Sequence, residues 1–224
     1  MTVVKDELHW TTEGVDSYLA YDNHEPELLQ HLTIDPGGCF IDVGAHVGRY
    51  AIRMAKKCKR VIAIEPVEQT MQLLYRNKEL NDIKNMNIFN YAITNNDAGL
   101  IPLYSDGQPG HTSIYSSQIP KLRISDFKVY TCYTTTIDKT LDRYFGEPNY
   151  FTEYLIKVDV EGAELEVLQS AKETIKHLKP TWVIEVHPHV DMADIRAFLI
   201  ERGYIIHPLF TYAPCHYIKA VYDV

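Results

Sequence analysis

The chain has 224 residues, 46% of them hydrophobic, and a formal net charge of -8 at pH 7. That length and apolar share suffice for one substantial core and favour one domain over two. The acidic balance, with Lys56 to Arg60 (KKCKR) as the one basic run that stands out, argues against phosphate-backbone binding, which needs several clustered cations. That run reads more simply as the solvated end of a helix, where positive charge suits the dipole. Cys39, Cys58, Cys132 and Cys215 lack metal-ligand spacing and read as buried small hydrophobes in a reducing compartment. The start, MTVVKDELHW, places charges where a signal peptide needs an apolar run. No segment approaches the roughly 18 apolar residues of a membrane span. The expectation is a soluble, cytoplasmic protein.

In chain order, the first forty residues are polar and mixed. NHEPELLQHL predicts a short helix, with Pro26 in its first turn and Leu28, Leu29 and Leu32 as an apolar stripe. DPGG (Asp35 to Gly38) is a turn. CFIDV then predicts a strand, GRYAIRMAKKC a helix, RVIAIEP a strand ended by Pro66, EQTMQLLYRNKEL a helix and NIFNYAI a strand. Residues 94–126 are rich in Ser, Asn, Asp, Gly and Pro, with short apolar pieces such as LIPLY. FKVYTCYTTT predicts an extra strand and IDKTLDRYF a helix. Alternation resumes with YLIKVDV as a strand, AELEVLQSAKETIKHL as one long helix, TWVIEVH as a strand and DMADIRAFLIERG as a helix ending at Gly203. YIIHPLF and HYIKAVYDV flank TYAPC as a closing antiparallel pair. Strand and helix in alternation imply an α/β fold with a mostly parallel central sheet and helices on both faces. The chain reads as one domain over residues 1–224, with 1–38 as an N-terminal extension and 94–135 as an irregular insertion suited to a lid.

The turn after CFIDV carries Gly44 and Gly48 and opens a helix. Strand, glycine turn and helix form the shape of a nucleotide-cofactor site, where backbone approaches a ligand and helix amides face it. Tight strand–helix packing is the plain alternative. Glu65 ends the next strand, where an acid can accept hydrogen bonds from both ribose hydroxyls of an adenosine cofactor. A dinucleotide site uses G-x-G-x-x-G, whereas this chain has D-x-G-x-x-x-G.

That turn resembles motif I of Rossmann-like methyltransferases, which bind S-adenosylmethionine. FIDVGAHVGRYAIRMA, IAIEPVEQTMQLLYRN, TTIDKTL, LIKVDVEGAELEVLQSA and VIEVHP together are similar, in order and spacing over about residues 24 to 205, to the FkbM family of methyltransferases. The IKVDVEGAE block is the most specific part. His46 departs from the family pattern, which shows Asn there. The resemblance implies a Rossmann-like methyltransferase fold, S-adenosylmethionine as cofactor, and O-methylation of a hydroxyl on a small molecule or sugar. It assigns Asp42, Gly44, Ala45, His46, Gly48, Glu65, Pro66 and Ala92 to the cofactor, with Asp42 toward the ammonium of the methionine tail.

Strand alternation in YLIKVDVEG points Lys157, Asp159 and Glu161 to one side, and VIEVHP places Glu185 and His187 on one face. Central parallel strands are ordinarily continuous apolar runs, so these charges are expensive unless paired or at an open end. If the two strands are neighbours, all five converge on one crevice. Lys157 is then neutralised by Asp159 or Glu185, and Glu161 and Glu164 also suit the N-terminus of the following helix. Asp159, Glu161, His187 and Lys157 are the catalytic candidates, the first three in that order as general base. Asp159, Glu185 and His187 are also metal-ligating types, but nothing fixes their spacing and no metal is assigned. Tyr104, Tyr115, Tyr130 and Tyr133 of the insertion can stack on a sugar or simply pack. Three other readings compete. An NAD-dependent oxidoreductase fits Glu65 but not the turn. A nucleic-acid methyltransferase is opposed by charge, and a non-catalytic module would bind S-adenosylmethionine without turnover.

Overall fold

The structure is a computed structural model that describes residues 2–5, 7–11, 25–97, 99–105, 112–116, 128–145 and 151–223. Its strands are β1 (Thr2–Lys5), β2 (Leu8–Thr11), β3 (Cys39–Val43), β4 (Arg60–Ile64), β5 (Met86–Phe89), β6 (Ala92–Ile93), β7 (Leu100–Ser105), β8 (Thr112–Ser113), β9 (Lys128–Thr135), β10 (Tyr154–Val158), β11 (Thr181–Val186), β12 (Tyr204–Tyr212) and β13 (Cys215–Tyr222). Its helices are α1 (Glu25–Leu29), α2 (Arg49–Ala55), α3 (Glu68–Leu80), α4 (Ile137–Phe145), α5 (Glu164–Gln169), α6 (Lys172–Leu178) and α7 (Met192–Ile200).

The main sheet runs β12-β13-β11-β10-β3-β4-β5. β5, β4, β3, β10 and β11 are mutually parallel, and the β12–β13 hairpin closes the sheet with β13 antiparallel to β11. The expected Rossmann-like architecture is present. All five residues of β3 and of β10 are buried, as central parallel strands require. Phe40, Val61, Leu155 and Val183 pack on one face with α2 and Leu74 of α3. Ile41, Ile62, Ile156 and Ile184 pack on the other with residues of α4, α5, α6 and α7. From β3 the chain builds outward to β4 and β5, and it later returns to build β10 and β11 on the other side. The order therefore reverses between β3 and β10, and ligands in open α/β sheets bind beyond the carboxyl ends of the strands at such a point.

Four local expectations need correction. The long helix over 163–178 is two helices, because the Ser170 hydroxyl accepts the Ile137 amide at 3.1 Å and Asp138 accepts the Glu173 and Thr174 amides at 3.0 and 2.8 Å. These bonds to α4 compete with helix continuation. NIFNYAI breaks into β5 and β6, with the Asn90 amide group donating to the Glu65 and Pro66 carbonyls at 2.9 Å each. Within 94–135, read as irregular apart from one strand, β7, β8 and β9 join β6 in a sheet of order β6-β9-β7-β8; residues 98, 106–111 and 117–127 of the proposed lid lie outside the described residues. The N-terminal extension contributes a β1–β2 hairpin that composition concealed.

That hairpin is tied to the glycine turn. Asn77 is fully buried; its oxygen accepts the Thr11 amide at 2.8 Å and its amide group donates to the Val47 carbonyl at 3.0 Å. Asn77→Ala strands both backbone groups and is expected to destabilise the fold by about 1–3 kcal/mol in urea unfolding. No helix among the described residues is long and apolar enough to cross a membrane.

Candidate active site

Beyond β3 the backbone takes positive φ at Gly44 (79°), His46 (51°) and Gly48 (90°). The Gly44 and Ala45 amides, on the turn expected to face a ligand, both donate to the Ile64 carbonyl at 3.0 Å. A Cβ on Gly44 would lie 1.7 Å from the Asp159 carbonyl oxygen, and one on Gly48 would lie 2.2 Å from Leu74 Cδ1. Close approach at these glycines is therefore demanded first by the protein's own packing. Glu65 sits behind the turn. One carboxylate oxygen accepts the His46 amide and the other the Val67 amide, each at 2.9 Å. Burial pushes its carboxyl up to about 7. Each oxygen retains a second acceptor lone pair. Pro66 is half-buried beside it, and Ala92 is buried in a small cluster with Val67, Leu103 and Cys132.

Lys157 on β10 is in register with Asp42 on β3. Its ammonium lies 3.2 Å from Asp42 Oδ1, 3.4 Å from Asp159 Oδ2 and 5.0 Å from the centre of the Tyr50 ring. Lys157 thus pairs with Asp159, as expected, and also with Asp42, which cross-strand register places slightly nearer. Burial opposes the Lys157 charge, but Asp42, Asp159 and Glu185 outweigh it and hold the ammonium above its usual range. Burial pushes the Asp42 carboxyl up while Lys157 pulls it down. Asp42 is 0% exposed, and its Oδ2 has no hydrogen-bond partner among the described residues. The side chain expected at a ligand's ammonium is therefore engaged inside the protein.

Alternation stops where β10 ends, and Glu161 turns through a φ of 54° followed by Gly162 at 103°. Asp159 and Glu161 nevertheless reach the same place. His187, at the end of β11, has Nδ1 2.6 Å from Glu164 Oε1 and Nε2 3.3 Å from Glu161 and 3.8 Å from Glu185. Asp159, Glu161 and His187 each offer a ligand atom within 4.8 Å of the others; so do Glu185, His187 and Cys215. Burial opposes charge on His187, but hydrogen bonds to Cys215, Glu161 and Glu164 outweigh it and hold the imidazole protonated well above its usual range. A protonated ring has no lone pair, so this arrangement disfavours the expected role of His187 as general base. The Asp159 carboxyl, despite burial, is lowered by Lys157 and His187. Burial pushes Glu185 up to about 7.

All five expected charges thus gather at the carboxyl ends of β10 and β11. Three further residues reach the same place without a signal in the sequence. Glu164, read as a helix-terminal charge, clamps His187 and accepts the Gly162 amide at 3.1 Å. Tyr217 on β13 is the register partner of Glu185, and only the alignment of β13 against β11, which composition does not encode, brings it there. Ser113 of β8 also reaches the crevice, its hydroxyl donating to the Glu161 carbonyl at 2.7 Å.

Residues 42–206 match the family described as the methyltransferase FkbM domain. The chain belongs to the FkbM methyltransferase family. This FkbM-family enzyme is 25% identical over 178 residues to Methyltransferase 1 of Beauveria bassiana (strain ARSEF 2860), covering 74% of this chain and 72% of that one. Its fold is similar to that of Methyltransferase FkbM from Methylobacillus flagellatus KT, with a TM-score of 0.59 at 19% identity over 85% of this chain. The chain spans 45% of the length of that solved structure. It also resembles M. jannaschii TYW2 in complex with AdoMet, with a TM-score of 0.52 at 12% identity over 98% of this chain and 83% of the other.

Proposed function

We propose that this FkbM-family methyltransferase uses S-adenosylmethionine to methylate a hydroxyl on a small molecule or sugar, inside the cell. The observation that carries the reading is the acidic crevice at the switch point between β3 and β10. Asp42, Glu65, Asp159, Glu161, Glu164 and Glu185 gather there against Lys157 and His187, an excess of negative charge that suits a ligand with both sulfonium and ammonium groups. The AdoMet complex of M. jannaschii TYW2 supports the donor by fold alone. When bound, that donor supplies an electrophilic methyl carbon.

The chain's own residues then have distinct tasks. Glu65 accepts the ribose hydroxyls through its remaining lone pairs. The turn over 44–48 lies against the methionine tail, with Asp42 acting at one remove through Lys157. Asp159 and Glu161 have 28% and 31% of their side chains exposed, so they can accept a hydrogen bond from the acceptor hydroxyl, and its proton. Such assistance is worth typically about 10²–10⁴-fold, and alignment of the reactants supplies the larger share. Lys157 keeps Asp159 ionised, and His187 orients Glu161. The β6–β9 sheet, touching Glu161 through Ser113, forms the acceptor side. The overall charge of -8 favours a small acceptor over nucleic acid.

Calorimetric titration with S-adenosylmethionine and, separately, with NAD tests the donor; heat with NAD alone would overturn this reading. A panel of hydroxyl acceptors then tests turnover. The raised carboxyl of Glu65 gives a pH signature. It is ionised above about 7 and accepts from the ribose, and it is protonated below, where one oxygen becomes a donor. Affinity is therefore expected to fall about tenfold from pH 8 to pH 6, and Glu65→Gln to flatten the profile. A wild-type profile already flat removes Glu65 from the site.

A further inference from the structure

The methyl-transfer reading uses His187 only to orient a neighbour, yet its surroundings resemble the outer and inner layers of a metal site. Glu164 is 0% exposed. Its Oε1 lies 2.6 Å from His187 Nδ1, which fixes the ring and turns Nε2 toward the crevice. A carboxylate behind the far nitrogen of a histidine is the usual outer partner of a metal-bound imidazole. Glu161 and Glu185 lie 3.3 and 3.8 Å from Nε2, and Asp159 and Glu161 each offer a ligand atom within 4.8 Å of a His187 ring nitrogen and of each other. Glu164 carries a second, independent mark: its Oε2 is buried with no hydrogen-bond partner among the described residues. Four carboxylates thus surround one imidazole, and the Lys157 ammonium lies 3.2 Å from Asp42 and 3.4 Å from Asp159.

We propose that Asp159, Glu161 and His187 bind a divalent first-row cation, with Glu164 as the positioning residue behind the imidazole. Two carboxylate oxygens and one imidazole nitrogen suit a cation of the Mn²⁺ class, which accepts mixed oxygen and nitrogen ligands. Three protein ligands leave coordination positions for water or an acceptor oxygen. A hydrated cation can enter, because Asp159 and Glu161 are partly exposed. The alternative trio of Glu185, His187 and Cys215 is more enclosed, at 13% and 9% side-chain exposure for Glu185 and His187 and a buried thiol. At Nε2 the cation replaces the proton that otherwise faces Glu161 at 3.3 Å. That the cation would hold the acceptor hydroxyl rests on the methyl-transfer reading; the binding itself does not.

The test is titration of the metal-stripped full chain with Mn²⁺, followed by the electron paramagnetic resonance of the free ion. One equivalent is expected to bind. Asp159→Asn, Glu161→Gln and His187→Gln are expected to remove that binding, and Glu164→Gln to weaken it by about 10–100-fold. Should these variants fail to fold, the wild-type complex remains decisive: its electron spin-echo modulation should show coupling to a single imidazole nitrogen. No bound Mn²⁺ at millimolar concentration, no nitrogen coupling, or binding unchanged in the folded variants would overturn the proposal. So would binding lost in Cys215→Ser but kept in Glu161→Gln. Calorimetry with S-adenosylmethionine on the same samples separates the two readings. Mn²⁺ binding without donor binding would support the metal site and contradict only the donor site.

Discussion

Lys157→Met is expected to destabilise the protein by about 3–5 kcal/mol in urea unfolding, because it leaves a buried carboxylate without its counter-charge. Lys157 and Asp42 are 2% and 0% exposed and lie 3.2 Å apart in the middle of the parallel sheet. The pair is itself weak evidence for stability, since desolvation cancels much of the Coulomb attraction. What is costly is removing one member. Pairing the change with Asp42→Leu should therefore recover most of the loss, as a double-mutant cycle. A single-variant cost under about 1 kcal/mol would mean that water reaches the pair and that the sheet is more open than its packing shows.

Gly44→Ala is expected to be nearly as damaging and to abolish donor binding. A non-glycine residue at the observed φ of 79° costs about 1–2 kcal/mol. The added Cβ would also sit 1.7 Å from the Asp159 carbonyl oxygen, a backbone atom that moves only if the ends of β3 and β10 separate. A combined loss of about 3 kcal/mol or more follows. Gly99 is the natural control, because it has a φ of 85° but nothing among the described residues within 4 Å of its would-be Cβ. Gly99→Ala should show the dihedral cost alone. Equal costs at the two positions would refute the close approach between the turn and Asp159.

Much of this was legible in the chain because period and punctuation carried it. CFIDV and YLIKV are buried throughout and read as central strands, with a glycine turn after the first. The charges at Lys157, Glu185 and His187 broke the apolar pattern and so flagged the crevice. What the sequence left hidden depends on register and on side-chain bonds between distant elements. That Asp42 faces Lys157 follows from β3 lying beside β10 in one particular alignment. That the helix breaks at Ser170 follows from bonds to α4. Glu164 sits in the first turn of α5, where an acid needs no further reason; its contact with His187 required the fold. The glycines were ambiguous for a physical reason, since packing against Asp159 and opening space for a ligand call for the same residue.

The central claim is that Glu65 and the turn over 44–48 hold opposite ends of one S-adenosyl ligand. Its most direct test is a crystal structure of the chain with S-adenosylhomocysteine. The account predicts ribose hydroxyls within hydrogen-bond distance of the Glu65 carboxylate and the amino-acid tail along the glycine turn. Density for the ligand anywhere else, or a ribose that leaves Glu65 bonded only to the His46 and Val67 amides, would contradict it.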